Sequence, residues 1–364
     1  MSSPPRPNPV RFPLLFLGIF TLLAALWAGM LRIGLTLPPL SPTLSGGHGP
    51  LMIAGFLGTV IGLERAVAMG RAWMFVAPAL AAAGGLLIIF GAPPAAGALS
   101  IALSSAALIL LFTQIVRLQP TLFNYVLTLA AVVWLVGNLF WLFGTPITQV
   151  VPAWAGFLVL TIAGERLELA RLLRISRAGT AVFLAILAVV VAGALLAPSN
   201  YSLGWRVTGL GMAALSLWLL RNDIARRTVR AKGLTRFIAH CMLPGYFWLL
   251  VGGLIPLWRG FIYGGTYDAV LHALFLGFVF SMIFGHAPVI FPAVLGVRMH
   301  FTPWFYSHLV LLHASLLLRV GAGLLEWLPG RQWAVVLNVV ALLLFLYNTV
   351  RSVFRKPNAQ RVPS

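Results

Sequence analysis

Residues 178–197 read AGTAVFLAILAVVVAGALLA, a run without a charged side chain. A helix of about 20 residues is long enough to cross the ~30 Å hydrocarbon core of a lipid bilayer. Only a helix suits such a single segment, because lipid offers no hydrogen-bond partners to backbone N–H and C=O groups. This stretch therefore predicts a transmembrane helix.

The same pattern recurs along the chain, which has 364 residues, 60% of them hydrophobic and 9% charged. Soluble domains carry about 25% charged residues, so lipid is the expected surrounding of this apolar surface. We predict an all-α, multi-pass membrane protein whose main partner is the lipid bilayer. Its predicted spans are 12–36, 48–69, 73–91, 95–117, 122–143, 151–170, 178–197, 202–220, 237–258, 268–291, 302–324 and 331–350.

The cations indicate the orientation of these spans. The chain has 25 Lys and Arg against 6 Asp and Glu, giving a net charge of +19. All but five cations fall on one side; the five are Arg32, Arg206, Arg259, Arg319 and Arg331. Basic loops remain in the cytoplasm. We therefore predict a bacterial-type cytoplasmic (inner) membrane protein with cytoplasmic tails at 1–11 and 351–364 around one transmembrane domain, 12–350. Because the charge lies between apolar spans, we do not expect a nucleic-acid partner.

A weak internal repeat connects the second, sixth and tenth spans. The pairs Gly55-Phe56, Gly156-Phe157 and Gly277-Phe278 are each followed six residues after the Gly by Ile and nine residues after it by Glu or His. This spacing predicts three pseudo-symmetric four-helix arcs, with chance matching among common membrane residues as the alternative.

Two histidines lie at the non-cytoplasmic ends of the second and tenth spans, His48 and His272. Ionisable groups within spans are costly and are therefore candidates for function. Neutral imidazole is a common ligand of haem iron and of copper. Two such rings on facing helices would hold a metal from both sides, with Met52 on the same helix face as His48. The alternative is a pair of interfacial histidines bonded to backbone or water.

A second group of polar residues is predicted near the cytoplasmic ends of the same three spans. Adjacent helical residues point about 100° apart, so we expect each arginine of this group to pair with a glutamate of another helix. The group either fixes the helix ends by ion pairs or forms a proton path or anion site. We call it the inner polar tier; it consists of Glu64, Arg65, Glu165, Arg166 and His286.

Three further residues, outside these two groups, each bear on the predicted function. His313 lies near the middle of the eleventh span and is a further candidate metal ligand. Asp268 is expected at an outer helix end, where water solvates it easily. The single cysteine, Cys241, excludes a disulfide within the chain and a thiolate cluster.

Several stretches resemble the NnrS proteins, which are haem- and copper-containing membrane proteins linked to nitric oxide stress, and more distantly subunit I of haem–copper oxidases. The resemblance implies that His48 and His272 bind haem, with His286 as the alternative partner from the tenth span. The similar stretches are His48–Phe56, Leu271–Gly277 with Gly285-His286, and Leu316–Val320.

The chain also departs from those families. The oxidases carry copper-binding histidines on helices 6 and 7 and a histidine pair on helix 10, and NnrS proteins have a second histidine on helix 2; this chain has none of these. A complete oxygen-reducing binuclear centre is therefore not expected. The sequence leaves open whether the protein is an enzyme. If it is one, we expect an oxidoreductase. No catalytic residue is predicted.

Three functions remain open from the sequence. The first is a haem-binding protein, with copper as an additional metal, that acts in nitric oxide or redox stress or in electron transfer with a partner. The second is a small-solute or ion transporter, favoured by the repeat and by the proline-containing tenth span. The third is a structural membrane subunit.

Overall fold

The structure, a computed structural model, describes residues 9–38, 40–170 and 175–354, which contain helices and no strand. Twelve helices are long and apolar enough to span a membrane, as predicted. They are α1 Arg11–Arg32, α2 Leu44–Met69, α3 Ala72–Ile89, α4 Pro94–Leu118, α5 Leu122–Leu142, α6 Ile147–Leu169, α7 Arg177–Leu196, α8 Tyr201–Asn222, α9 Gly233–Arg259, α10 Gly264–Leu295, α11 Phe305–Leu324 and α12 Leu328–Phe354.

The helix ends differ from the predicted ends for local reasons. The first span ends at Arg32 because Gly34 has a φ of +85°, a conformation that suits glycine and stops a helix. The tenth span continues past both Pro288 and Pro292 to Leu295. The last helix reaches Phe354, beyond the predicted start of the C-terminal tail. Residues 1–8 and 355–364 of the predicted tails lie outside the described residues.

Helices that follow each other in the chain pack side by side, and contacts between α1 and α12 close the bundle. The helices α2, α6 and α10 are the most buried of the twelve, and α10 contacts both α2 and α6. These are the three helices that carry the sequence repeat, so the polar residues of the repeat lie inside the bundle. We call the side with most of the cations the basic face and the opposite side the far face.

Both α2 and α10 contain an eight-residue π-helical stretch, Leu51–Gly58 and Ala273–Phe280. These stretches occupy the same positions relative to the repeat glycines Gly55 and Gly277, whereas the described part of α6 is α-helical. The two stretches meet where Phe56 and Phe280 stack with ring centres 6.0 Å apart. π-helical turns are rare and occur frequently at functional sites.

Candidate cofactor site

The structure brings His48 and His272 together, as the sequence predicted. His48 follows a short 3₁₀ turn, Leu44–Gly47, and lies three residues before the π-helical stretch of α2. His272 directly precedes the π-helical stretch of α10. The centres of the two imidazole rings are 6.2 Å apart, and the ring planes differ by 23°.

Each ring is oriented by one backbone carbonyl. The Nδ1 atom of His48 lies 2.8 Å from the carbonyl oxygen of Ala25, and that of His272 lies 2.7 Å from the carbonyl oxygen of Asp268. A carbonyl oxygen only accepts hydrogen bonds, so both Nδ1 atoms carry the proton. In a neutral ring this leaves the lone pair on Nε2, the atom a metal would bind. Neither Nε2 has a hydrogen-bond partner among the described residues.

A glycine of α1 makes room for the ring of His48. A Cβ atom on Gly29 would lie 2.9 Å from both Cε1 and Nδ1 of that ring. This is closer than real Cβ contacts, so any side chain at position 29 must displace the imidazole. The ring is therefore held between the Ala25 carbonyl and the bare backbone of Gly29.

A buried polar network supports His272. Asp268 Oδ1 lies 3.3 Å from His272 Nδ1, and both carboxylate oxygens accept hydrogen bonds from Arg319 at 2.9 Å. Arg319 also donates to Asn338 Oδ1 at 3.0 Å, and Asn338 donates to Ser315 at 2.6 Å. The network joins α10, α11 and α12 behind the ring.

Asp268 lies near the outer end of α10 as expected, but its partner is Arg319 as well as water, because Arg319 points from α11 into the bundle and binds it. Sequence reasoning placed Arg319 among the outer cations and missed this pair. Two signals were available: Asp268 precedes His272 by one helical turn, and Arg319 is the single Arg, Lys, Asp or Glu of the helix Phe305–Leu324. The pairing itself depends on which helices are neighbours.

Both histidines line a cavity of about 570 Å³ that reaches the far face. Its walls are mainly apolar and include Met52, so Met52 and His48 border the same space, in agreement with the predicted common helix face. Arg32 and Arg331 line it as well, from the far-face ends of α1 and α12. The cavity thus combines two imidazoles in the interior with two cations near its mouth.

Within the described residues, no group of three or more His, Cys, Asp or Glu side chains is placed to hold a metal ion. A metal bound at His48 and His272 alone therefore needs ligands from elsewhere. A haem supplies four nitrogens of its own and takes one or two axial ligands from the protein. Imidazole also suits copper, which would likewise need further ligands.

A family described as a domain of unknown function, DUF8744, matches residues 11–354. The chain belongs to this family. The match covers all twelve helices and both histidines of the site. No curated protein matches the chain.

In this DUF8744 protein the inner polar tier forms ion pairs and hydrogen bonds between α2, α6 and α10. Arg65 of α2 donates to Glu165 Oε1 of α6 at 2.6 Å, which confirms the predicted pairing for this arginine. The other carboxylate in reach is Glu64, 3.9 Å from Arg65. The pair is only partly exposed, so it fixes α2 against α6 near the basic face.

The predicted partner of Arg166 was wrong. Arg166 contacts His286 Nε2 of α10 and lies 3.7 Å from the sulfur of Met242 of α9, with no carboxylate within 4 Å among the described residues. The reason is the angle between neighbouring side chains on α6. The face with Glu165 points to α2, and the face with Arg166 points to α9 and α10.

Two other candidate ligands are not available to a metal in the cavity. Nδ1 of His286 bonds to the carbonyl oxygen of Met282 at 2.6 Å and its Nε2 to Arg166, so both ring nitrogens are engaged. Nδ1 of His313 accepts a hydrogen bond from Trp248 at 3.0 Å. Neither histidine lines the cavity, so the structure argues against both as ligands there.

Proposed function

We propose that this protein binds a haem between His48 and His272 and transfers electrons at the far face of the membrane. The carrying observation is the meeting of two imidazoles from different helices inside one cavity, with ring centres 6.2 Å apart. Each Nδ1 atom is bonded to a backbone carbonyl, and neither Nε2 atom has a hydrogen-bond partner among the described residues, so the two Nε2 atoms would hold the iron.

The surroundings of the two rings fit a haem. The cavity volume of about 570 Å³ falls in the range of roughly 300–1,000 Å³ typical of cofactor and ligand sites. The apolar walls suit a macrocycle, and Arg32 and Arg331 are placed to pair with its carboxylates. The carbonyls of Ala25 and Asp268 would hold the two imidazoles in the tautomer that binds iron through Nε2.

Among the functions of haem proteins, electron transfer is the one favoured by two protein ligands, here His48 and His272. A haem would supply reversible one-electron chemistry, and His48 and His272 together would hold it. A soluble or membrane-bound redox partner would then approach the far face, where the cavity opens. The NnrS resemblance supports a role in nitric oxide or redox stress as the alternative to electron transfer, and copper is the alternative metal. In this proposal the protein lies in a bacterial-type cytoplasmic membrane with its basic face toward the cytoplasm, and the asymmetry of the cations supports that orientation.

The optical spectrum of the purified protein, produced in cells supplied with haem, tests the proposal. We expect a Soret band and the sharp visible bands of a low-spin haem with two histidine ligands. His48→Ala and His272→Ala should each lose or shift these bands. His240→Ala is the matched control, because its ring bonds to Tyr306 and does not line the cavity.

Wild-type protein without a Soret band would refute haem binding, and metal analysis of the same sample would reveal copper. A band that survives both cavity substitutions would place the haem elsewhere. Adding nitric oxide to the reduced protein separates the two roles, since a spectrum that does not change supports electron transfer alone.

Transport of a small solute is a second candidate. The observation that favours it is that the far-face cavity and the inner polar tier involve the same three central helices, so a path between them would run through the bundle. Uptake into proteoliposomes tests this. Uptake that is absent in wild type, or that Glu64→Gln and Glu165→Gln leave unchanged, argues against it.

A further inference from the structure

The connection between α8 and α9 carries the densest positive charge of the described residues. We call residues 221–236 the basic loop; it runs from the last turn of α8 to the first turn of α9 and contains the short helix Ala225–Thr228. Its six cations are all exposed: Arg221, Arg226, Arg227, Arg230, Lys232 and Arg236.

The basic loop has a fixed conformation with its only acid turned inward. Asp223 is 4% exposed, and its Oδ1 accepts a hydrogen bond from the backbone N–H of Ala225 at 2.7 Å. Ala225 is also buried. These contacts hold the short helix against the bundle, and they leave the outer surface of the loop with positive charge alone.

In the part of the chain that the structure describes, the cations of the basic loop have no carboxylate partners. None of the ion pairs formed by the described residues includes them. The one hydrogen bond from their side chains, Arg226 to the carbonyl oxygen of Arg221 at 3.0 Å, remains within the loop. An exposed surface of like charges without counter-ions attracts anions.

The position of the basic loop points to the source of those anions. Both ends of the loop lie in the terminal turns of spanning helices, which is the level of the lipid headgroups. Cations near a membrane surface attract anionic lipids, and clusters of four to eight Lys or Arg next to a span are typical of such sites.

We propose that the basic loop is a binding site for anionic phospholipid headgroups. The phosphates of several lipids would lie along the row of guanidinium groups, since arginine forms paired hydrogen bonds to phosphate oxygens. This inference does not depend on the haem proposal, because the loop is on the basic face and the cavity opens on the far face.

The experiment compares two variants of equal charge. The loop variant is Arg226→Gln with Arg227→Gln and Arg230→Gln. The control variant is Arg71→Gln with Arg117→Gln and Arg298→Gln, three exposed cations from separate connections on the same face. Each full-length protein is placed in phosphatidylcholine nanodiscs with increasing phosphatidylglycerol, and native mass spectrometry after release counts the retained lipids.

We expect wild type to retain phosphatidylglycerol in preference to phosphatidylcholine. Each cation contributes about fivefold to the affinity for anionic lipid, so the affinity of the loop variant should fall by up to about a hundredfold. The fall in affinity of the control variant should be at least about tenfold smaller, because its three cations do not share one surface. Circular dichroism checks that helical content is unchanged.

Equal losses in the two variants would overturn the proposal, since they would show a response to total charge. Equal retention by all three proteins would overturn it too. Inorganic phosphate that displaces the lipid at equal phosphate concentration would identify a free-phosphate site. The affinity for a short oligonucleotide is measured with the same variants. If the loop substitutions lower that affinity more than they lower the affinity for lipid, the loop is a nucleic-acid site.

Discussion

The ion pair between Arg319 and Asp268 stabilises the wall of the cavity. A single substitution of Arg319 removes it. Arg319 is 7% exposed and donates two hydrogen bonds to the Asp268 carboxylate and one to Asn338. Arg319→Met keeps an unbranched side chain of similar reach and removes the charge and all three donors. Asp268 is then left largely buried beside His272 without a counter-ion.

Breaking a buried ion pair by removing one partner costs about 3–5 kcal/mol. The Asp268 side chain remains 15% exposed and lines the cavity, so water can reach the freed carboxylate. We therefore expect the lower end, a loss of about 3 kcal/mol in the free energy of unfolding. Adding Asp268→Asn to Arg319→Met removes the unpaired charge, and the double variant should recover about half of that loss.

The assay is unfolding of the detergent-solubilised protein by titration with sodium dodecyl sulfate, followed by circular dichroism. Arg259→Met is the control, because this arginine is exposed at the end of α9 and its removal should change stability by no more than about 0.5 kcal/mol. An Arg319→Met loss below about 1 kcal/mol, or a double variant less stable than the single one, would refute the reasoning.

Three further substitutions test other parts of the molecule. Gly29→Ala should displace the ring of His48, which we expect to weaken haem binding by about tenfold or more in a haem titration; unchanged affinity would contradict the close approach. Glu165→Gln should cost about 1 kcal/mol in the same unfolding assay because Arg65 loses its nearest carboxylate, and an equal loss in Glu64→Gln would show that the 2.6 Å contact is not special. His313→Ala should leave the optical spectrum of the haem unchanged, because its ring bonds to Trp248 outside the cavity; a lost Soret band would make it a ligand.

The spans could be predicted because each one satisfies a local rule. Twenty apolar residues form a helix in lipid whatever surrounds them, so the twelve helices follow from composition and length. The meeting of His48 and His272 also followed from a simple argument, since both lie at the same depth on repeat-related helices. The spans need no knowledge of how each helix is rotated about its axis. The meeting of the two rings also requires both to face the interior, which the cost of ionisable groups in lipid favours.

The partners of individual side chains depend on that rotation and could not be predicted. Arg166 was expected to find a glutamate and instead contacts His286. The relative directions of His272 and His286 on α10 do not follow from 100° per residue, because the eight residues Ala273–Phe280 between them are π-helical and turn less at each step. Asp268 looked like an end-of-helix residue because the sequence does not show that α11 places Arg319 beside it.

The π-helical stretch of α2 joins the histidine at the far face to the ion pair at the basic face. Each turn of this stretch accommodates one residue more than an α-helical turn does. Deleting one residue from Leu51–Gly58 would allow ordinary α-helical turns, in which each remaining residue turns further. The lost residue and the larger turn per residue nearly offset each other, so Arg65 would keep its direction relative to His48. A deletion of one amino acid within these eight residues should therefore leave the ion pair with Glu165 in place and remove only the wider backbone of the stretch, which makes it a direct test of what that backbone does.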